Sequence, residues 1–483
     1  MSVIGKMIVI VLGILAVCLL TAVVRTLLLP KKKTEYQLSE DTGRIDTYAE
    51  KLSRMIQVET ISSKTDPSVE KFLAFHQLLE ELFPRVFAAC EKIELDGNLL
   101  LKWKGQSSES PILLMSHMDV VEAKGDWKYP PFSGTIADGK VWGRGATDTK
   151  CSLMAFLQAG EEMLEEGYVP SCDVYFASSC TEEIGGDGGP KLVNWLKEHD
   201  VRLFMACDEG GSVIKDPIAG VRGDFAAVGV FEKGYGDVRF VARSAGGHSG
   251  APGRNTPIPR LAKFICRVEK KTPFKVELTP TVRMMLERMA PYADTFGLRM
   301  VMSNLWLFGP LMKKIMPTLS AQGAAMLQTT IAFTMQSGSD ASNVIPQEAS
   351  VSANMRFIPH QNAEESLRLA EDLAKSYGLE MEVLGKRDAS SSLDLHGEGF
   401  AIVQQAAKEC FPGAGVMPYI ITGGTDARFY DTVCDNCVRF SPIHCGPEQA
   451  AGVHGLNENI ETGCLPGAVD FYKAVIRAQE KRN

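Results

Sequence analysis

No Asn-x-Ser/Thr sequon occurs in the 483 residues, so the chain offers no acceptor for N-glycosylation. Positive charge is not in surplus either. The 51 Lys and Arg stand against 59 Asp and Glu, and a net charge of −8 leaves no basic footprint for nucleic acid. The 12 cysteines follow no repeating spacing, which argues against a disulfide framework and fits a reducing compartment. Cys434-x-x-Cys437 lacks the second pair that a structural zinc module needs. No internal repeat or low-complexity tract is visible.

What is present is a globular composition, 45% hydrophobic and 23% charged, in a chain too long for one ordinary core. Two domains are expected. Met7 to Val24 is an almost unbroken apolar run, and Leu27-Leu28-Leu29 extends it past Arg25 to approach the thickness of a bilayer core. It reads as a single membrane anchor, residues 1–33 with their basic flank. Arg25 and Lys31-Lys32-Lys33 follow the run against Lys6 before it, so the positive-inside rule leans towards a cytoplasmic catalytic domain.

A polar tether from Thr34 to about Thr47 leads into alternating strands and helices as far as Cys207, the pattern of a mainly parallel sheet covered on both faces. Within it, the apolar run Leu113-Leu-Met-Ser-His117 ends in His117-Met-Asp119, a strand presenting His117 and Asp119 on one face. Other acidic groups arrive in similar settings. Asp148 closes the Gly143-Arg-Gly145 turn; Glu182-Glu183 follows the strand around Val174; Asp208-Glu209 follows another. His454 completes a possible set of five ligands. Imidazole and carboxylate without thiolate suit two catalytic zinc ions, with manganese or cobalt as substitutes. Consecutive residues point differently, so Glu183 can bind metal while Glu182 faces the attacking water as general base.

The texture changes near Phe231. From there to about residue 385 the order β-α-β-β-α-β suggests a small ferredoxin-like α+β domain inserted into the catalytic one, giving segments 34–230, 231–385 and 386–483. Residues 273–328 exceed a minimal domain of that kind, look helical, and read as extra packing for it.

Ser116-His-Met-Asp119, Gly143-Arg-Gly-Ala-Thr-Asp148, Thr181-Glu-Glu183, Cys207-Asp-Glu-Gly-Gly211 and Gly246-Gly-His-Ser-Gly-Ala-Pro252, in this order, resemble the motifs of the M20 metallopeptidases. The branch most similar is that of carboxypeptidase S and the N-acyl-amino-acid hydrolases, over roughly residues 45–483. The resemblance implies that Asp148 bridges two ions, with His117 and Asp208 on one and Glu183 and His454 on the other. Asp119 would orient His117. It further implies that the inserted domain is a lid, often used for dimerisation. On it His248, often from the partner subunit, would stabilise the oxyanion, Arg356 would grip a substrate carboxylate, and Asn343 would touch the substrate. Gly424 and Thr425 in Thr422-Gly-Gly-Thr-Asp-Ala-Arg428 would line the site. Anchored relatives of the carboxypeptidase S type work in a lumen or outside the cell, against the charge bias.

The expected activity is cleavage of an amide next to a free carboxylate, in a dipeptide, short peptide or N-acyl amino acid. A co-catalytic zinc aminopeptidase would recognise a free amine, and Arg356 and His248 speak against it. A non-catalytic binding protein on this fold would have lost a ligand or the base, and none is missing.

Overall fold

The computed structural model describes residues 2–34 and 36–482. Met1, Glu35 and Asn483, which fall within the expected segments 1–33, 34–230 and 386–483, lie outside the described residues. Apolar strands of the catalytic part join one mixed ten-stranded sheet. Its centre is parallel: Ser107–His117 lies between Cys172–Ser179 and Leu203–Asp208, and Cys434–Arg439 continues beside Leu203–Asp208. Towards one edge, Asn98–Trp103 and Glu91–Leu95 pair antiparallel, so the sheet is less uniformly parallel than expected.

Burial on both faces explains why these strands read as continuous apolar runs. Ile112, Leu113, Leu114 and Met115 are all inaccessible to solvent, and so is nearly the whole of Cys172–Ser179. On one face Phe156 of the helix Lys150–Glu165 stacks on Phe176 and meets Tyr472 of Leu465–Ala478 edge-on. On the other, Leu192, Val193 and Leu196 of Gly188–Glu198 cluster with Leu113, Met115 and Tyr175. The parallel central strands therefore all release their C-terminal ends at the same edge.

A second, four-stranded antiparallel sheet has the order Thr330–Ser337, Glu348–Arg356, Tyr235–Arg243, Glu380–Arg387. The helices Pro257–Lys270 and Ala363–Ser376 cover one face, enclosing Phe240, Phe264, Val351 and Leu367 in a separate core. The other face is wet, with Arg239 paired to Glu348 at 2.9 Å.

Three expectations are corrected. The stretch expected as a tether is docked: the Thr34 hydroxyl donates to the Asp224 carbonyl at 2.8 Å, and the Tyr36 N–H to the Asp224 carboxylate at 2.9 Å. The helix after it starts earlier than expected, at Thr42, capped by Asp41. Residues 273–328 do form helices, but Val282, Met285, Leu286 and Met289 belong to the large core of the catalytic sheet and not to the smaller one. Their apolar spacing predicts a helix without indicating which of two cores it joins. The N-terminal helix Val3–Leu28 is long and apolar enough to cross a membrane, and only Ala22 and Thr26 in it are buried.

Candidate metal centre

Strand ends and one distant turn build the centre. His117 closes its strand, and its Nδ1 lies 2.8 Å from the Asp119 carbonyl oxygen. That contact assigns the Nδ1 proton and turns Nε2 towards Asp148 Oδ1 at 3.1 Å and Glu209 Oε1 at 3.4 Å. The other Asp148 oxygen is 3.2 Å from His454 Nε2, which sits 2.9 Å from Glu183 Oε2. His117, Asp148 and Glu209 make one group able to hold a cation, and Asp148, Glu183 and His454 make another. Asp148 is common to both. His454 reaches the others from a turn at φ 54°, its side chain half exposed while Glu183 is buried.

The supports come from far along the chain. The buried Glu458 carboxylate accepts from the N–H groups of Gly145, Thr147 and Asp148 at 3.1, 2.8 and 2.9 Å, and pairs with Arg144 at 2.7 Å. One carboxylate thus sets the loop that presents Asp148. Asp119 does the same for the opposite wall, accepting from Glu182 N–H at 3.2 Å and Glu183 N–H at 3.1 Å. The expected orientation of His117 is therefore achieved by the Asp119 main chain. Its carboxylate stands 3.5 Å from Nδ1 and fixes the Glu182-Glu183 loop.

Asp208, expected to ligate beside His117, turns away. Its oxygens accept from Ala427 N–H at 2.7 Å and Glu209 N–H at 2.8 Å, and Glu209 takes the place by the imidazole. A strand ending at Asp208 directs that side chain into the body of the sheet, whereas the next residue, already outside the strand, is free to face the cleft. The sequence held a signal for this: in Glu182-Glu183 and Asp208-Glu209 alike, the second residue of the pair meets a histidine. Glu458 had no local signal, since its partners lie more than 300 positions away in sequence.

Thr425 is also corrected. It is buried, and both its N–H and hydroxyl donate to Glu232 at 2.9 Å, so it satisfies a buried carboxylate that Arg439 also contacts at 3.0 Å. Gly424 beside it is tightly overlooked: a Cβ there would lie 3.2 Å from Arg428 Nη1 and 3.5 Å from Arg387 Nη2. Arg428, which the sequence reading passed over, stands 3.7 Å from Glu182.

The residues on the second sheet are not gathered with the rest. His248 is exposed in a two-residue strand paired with Val344–Ile345, and its Nδ1 accepts from Gly250 N–H at 2.9 Å. The Asn343 carbonyl accepts from Ser249 N–H in the same loop. Arg356 donates to Asn354 at 3.1 Å and lies over the Tyr235 ring.

The electrostatics favour added positive charge. Burial pushes the Glu182 carboxyl up to about 10, with Glu209, Asp426 and Asp119 adding to it against the pull of His117. Burial likewise lifts Glu209 to about 8, where Asp148 adds to it, and Asp208 to about 7, where Asp426 does. Burial works to raise Asp148 as well, but His117 and His454 outweigh it and hold it below the usual carboxylate range. His454 rises to about 10 through its hydrogen bonds to Asp148 and Glu183. One buried Glu183 oxygen has no hydrogen-bond partner at all. A crowd of carboxylates, two inward imidazole nitrogens and an orphaned oxygen form a donor set that fits divalent cations. The other tempting cluster is already satisfied: His444 bonds Asp224 at 3.1 Å and Glu461 at 2.9 Å, and among the described residues neither grouping of potential ligands includes Cys434, Cys437 or Cys445.

Comparison with known proteins places this geometry. Residues 113–478 match the family model described as peptidase family M20/M25/M40. The chain is 31% identical over 488 residues to the N-fatty-acyl-amino acid synthase/hydrolase PM20D1 of Xenopus tropicalis, covering 97% of this chain and 94% of that one. It is 31% identical over 453 residues to a probable carboxypeptidase S-like 2 of Dictyostelium discoideum, covering 90% and 85%. Among solved structures, an M20 family metallo-carboxypeptidase from Sulfolobus solfataricus shares the fold at a TM-score of 0.64 and 17% identity, over 89% of this chain and 98% of that one. Human carnosine dipeptidase 1 does so at 0.59 and 16%, over 90% and 96%. The chain belongs to the M20 peptidase family and is a hydrolase of that family.

Proposed function

We propose that the protein is a membrane-anchored, two-metal amidohydrolase that cleaves the amide next to a free carboxylate, in N-acyl amino acids or short peptides. The observation that carries the reading is the pair of ligand groups sharing Asp148, with the largely buried Glu182 directly before the ligand Glu183 in the chain. Relatives named for N-fatty-acyl-amino acid hydrolysis and for carboxypeptidase activity support the substrate class.

In this reading His117, Glu209 and Asp148 would hold one cation, and Glu183, His454 and Asp148 the other. Two zinc ions, with manganese or cobalt as substitutes, would supply Lewis acidity to the water and the scissile carbonyl. Glu182 takes the proton from the attacking water and passes it to the leaving nitrogen. Arg428 beside it favours the charged carboxylate and so offsets part of the burial that raises it. Asp119 and Glu458 keep the two walls in place. Arg356 offers a planar fork to the substrate carboxylate, and His248 donates to the oxyanion. Because Arg356 lies on the sheet with its own core and the His248 loop follows a strand of that sheet, we assign residues 231–272 and 329–385 to a lid that completes the site by closing or through a second copy of the chain. The basic flank Lys31-Lys32-Lys33 supports a catalytic domain on the cytoplasmic side.

The test is hydrolysis by the full-length, zinc-loaded protein of dipeptides, N-acetyl and N-oleoyl amino acids, and the same compounds as C-terminal amides. Turnover of the free acids but not the amides is expected, and the chain-length profile then separates the two substrate kinds. Equal turnover of acids and amides would overturn the carboxylate clamp. Preference for a free amine would move the assignment to an aminopeptidase.

A further inference from the structure

The helices inserted before Thr330 carry an apolar surface that the chemistry of the site leaves unexplained. In Leu305–Leu319, Leu307, Leu311, Ile315 and Leu319 recur every fourth residue and form one stripe, and Trp306 lies about 100° round the helix from Leu307, on its flank. Leu311, Ile315, Leu319 and Trp306 are exposed, Leu319 at 72%. The side that packs inward carries Leu305, Gly309 and Met316, roughly 100° round the helix from Ile315, so Leu311 and Ile315 face away from the core and Leu319 borders it.

What covers it is indicated by its neighbour. The last turns of the N-terminal helix are bound to this insertion at several points. Asn304 donates to the Ala22 carbonyl at 3.3 Å and to the Thr26 hydroxyl at 3.1 Å. Arg299 donates to the carbonyls of Thr26 at 3.0 Å and Leu29 at 2.9 Å, and Lys32 N–H donates to the Pro291 carbonyl at 2.9 Å. Ala22 and Thr26 are the buried residues of that helix, and the aliphatic side chains before them stand free. Residues 3–21 rise roughly 28 Å, close to the roughly 30 Å of a bilayer core. The hydrocarbon boundary then falls near Thr21–Ala22, at the level of Asn304. Trp306, whose indole N–H donates to Asn304 at 3.2 Å, sits there. An amphipathic ring with its polar end satisfied is the group that membrane interfaces favour.

We propose that Leu305–Leu319 is a second membrane contact, lying in the headgroup region of the bilayer with Leu311, Ile315 and Leu319 turned into the lipid and Trp306 on its flank at the interface. The inference rests on the reading of Val3–Leu28 as an anchor. It adds that the catalytic domain is held against the membrane in one orientation and does not hang from a tether, in keeping with the docking of residues 34 and 36.

The test places full-length protein in phosphatidylcholine vesicles with and without bromine on the acyl chains. Bromine is expected to quench part of the tryptophan emission, and Trp306→Phe is expected to remove that quenched part. A triple variant, Leu311→Asp, Ile315→Asp and Leu319→Asp, is expected to float with the vesicles through the N-terminal helix and to hydrolyse soluble substrate normally, yet to lose the bromine quenching. If the wild-type protein floats but Trp306→Phe leaves the quenching unchanged, the second contact is wrong. The same holds if Trp306 emission is shielded from water yet indifferent to bromine, which would place a second copy of the chain over the stripe. A wild-type protein that does not float overturns the anchor reading first, and the inference with it.

Discussion

At the edge of the ten-stranded sheet, three side chains that end or follow strands meet Asp148 from its loop and His454 from its turn, each group of three within 4.8 Å. Away from it, His248 in a separate two-stranded pair and Arg356 on the four-stranded sheet are engaged with their own loop and strand neighbours. Residues from both regions matched motifs equally well, yet only the first set converges within one chain. Ligands on parallel strands of a single core share a rigid frame and need no further arrangement. Groups on a second core can change their distance to the first without disturbing either interior. The candidate ligand set is preorganised, whereas the proposed substrate contacts of His248 and Arg356 would depend on how two bodies, or two copies, come together.

Variants in the two regions should therefore fail differently. The largest effect is expected for Glu182→Gln, a loss of about 10²–10⁴ in kcat with both metals retained; a variant that keeps its rate would leave the general base unassigned. His248→Asn should lower kcat by about 10²–10³ without changing metal content or KM much, as removal of an oxyanion donor does. If it instead changes metal content, His248 belongs to the first region and the contrast between the two breaks. The assignment at Asp208 and Glu209 is sharpened by metal titration. Glu209→Gln should weaken one of the two binding steps by at least about tenfold, the low end for disturbing even an outer partner. Asp208→Asn should leave stoichiometry intact and lower thermal stability.

The smallest effect tests the metal-free part of the same sheet. His444 rises to about 9 between Asp224 and Glu461, although burial opposes its charge. A pKa above the unfolded value of about 6.5 means that the stabilisation is complete below that pH and fades as pH rises through 9. His444→Gln should therefore cost about 1.5–3 kcal/mol at pH 6, the range for hydrogen bonds to charged groups. In denaturant unfolding the gap from wild type should narrow by pH 10. A gap that widens with pH would mean that His444 is neutral in the fold.

Much of this was legible in the chain. Runs such as Ile112-Leu-Leu-Met115 announce strands buried on both faces, and a polar group directly after such a run can only stand at the strand's end. That located His117, Asp119 and the Glu182-Glu183 pair. What failed to be legible was choice among neighbours. Asp208 and Glu209 are equivalent as letters, and only the exit of the strand decides which one enters the sheet. Thr425 looked like a pocket residue because its loop is rich in glycine, but Glu232, nearly 200 positions away, claims both its donors.

Local patterns determined the strands, the helices, the long apolar N-terminal helix and the set of chemically competent groups, because hydrophobic period and strand-end chemistry are written within a few residues. Tertiary structure alone decided which carboxylate faces His117, that Glu458 sets the Asp148 loop, and that the helices after residue 280 join the catalytic core. It also decided that these helices clasp the end of the N-terminal helix. Each of these is a contact between distant segments, chosen by burial and by the need to satisfy every interior donor and acceptor, and no short stretch of sequence contains both halves of it.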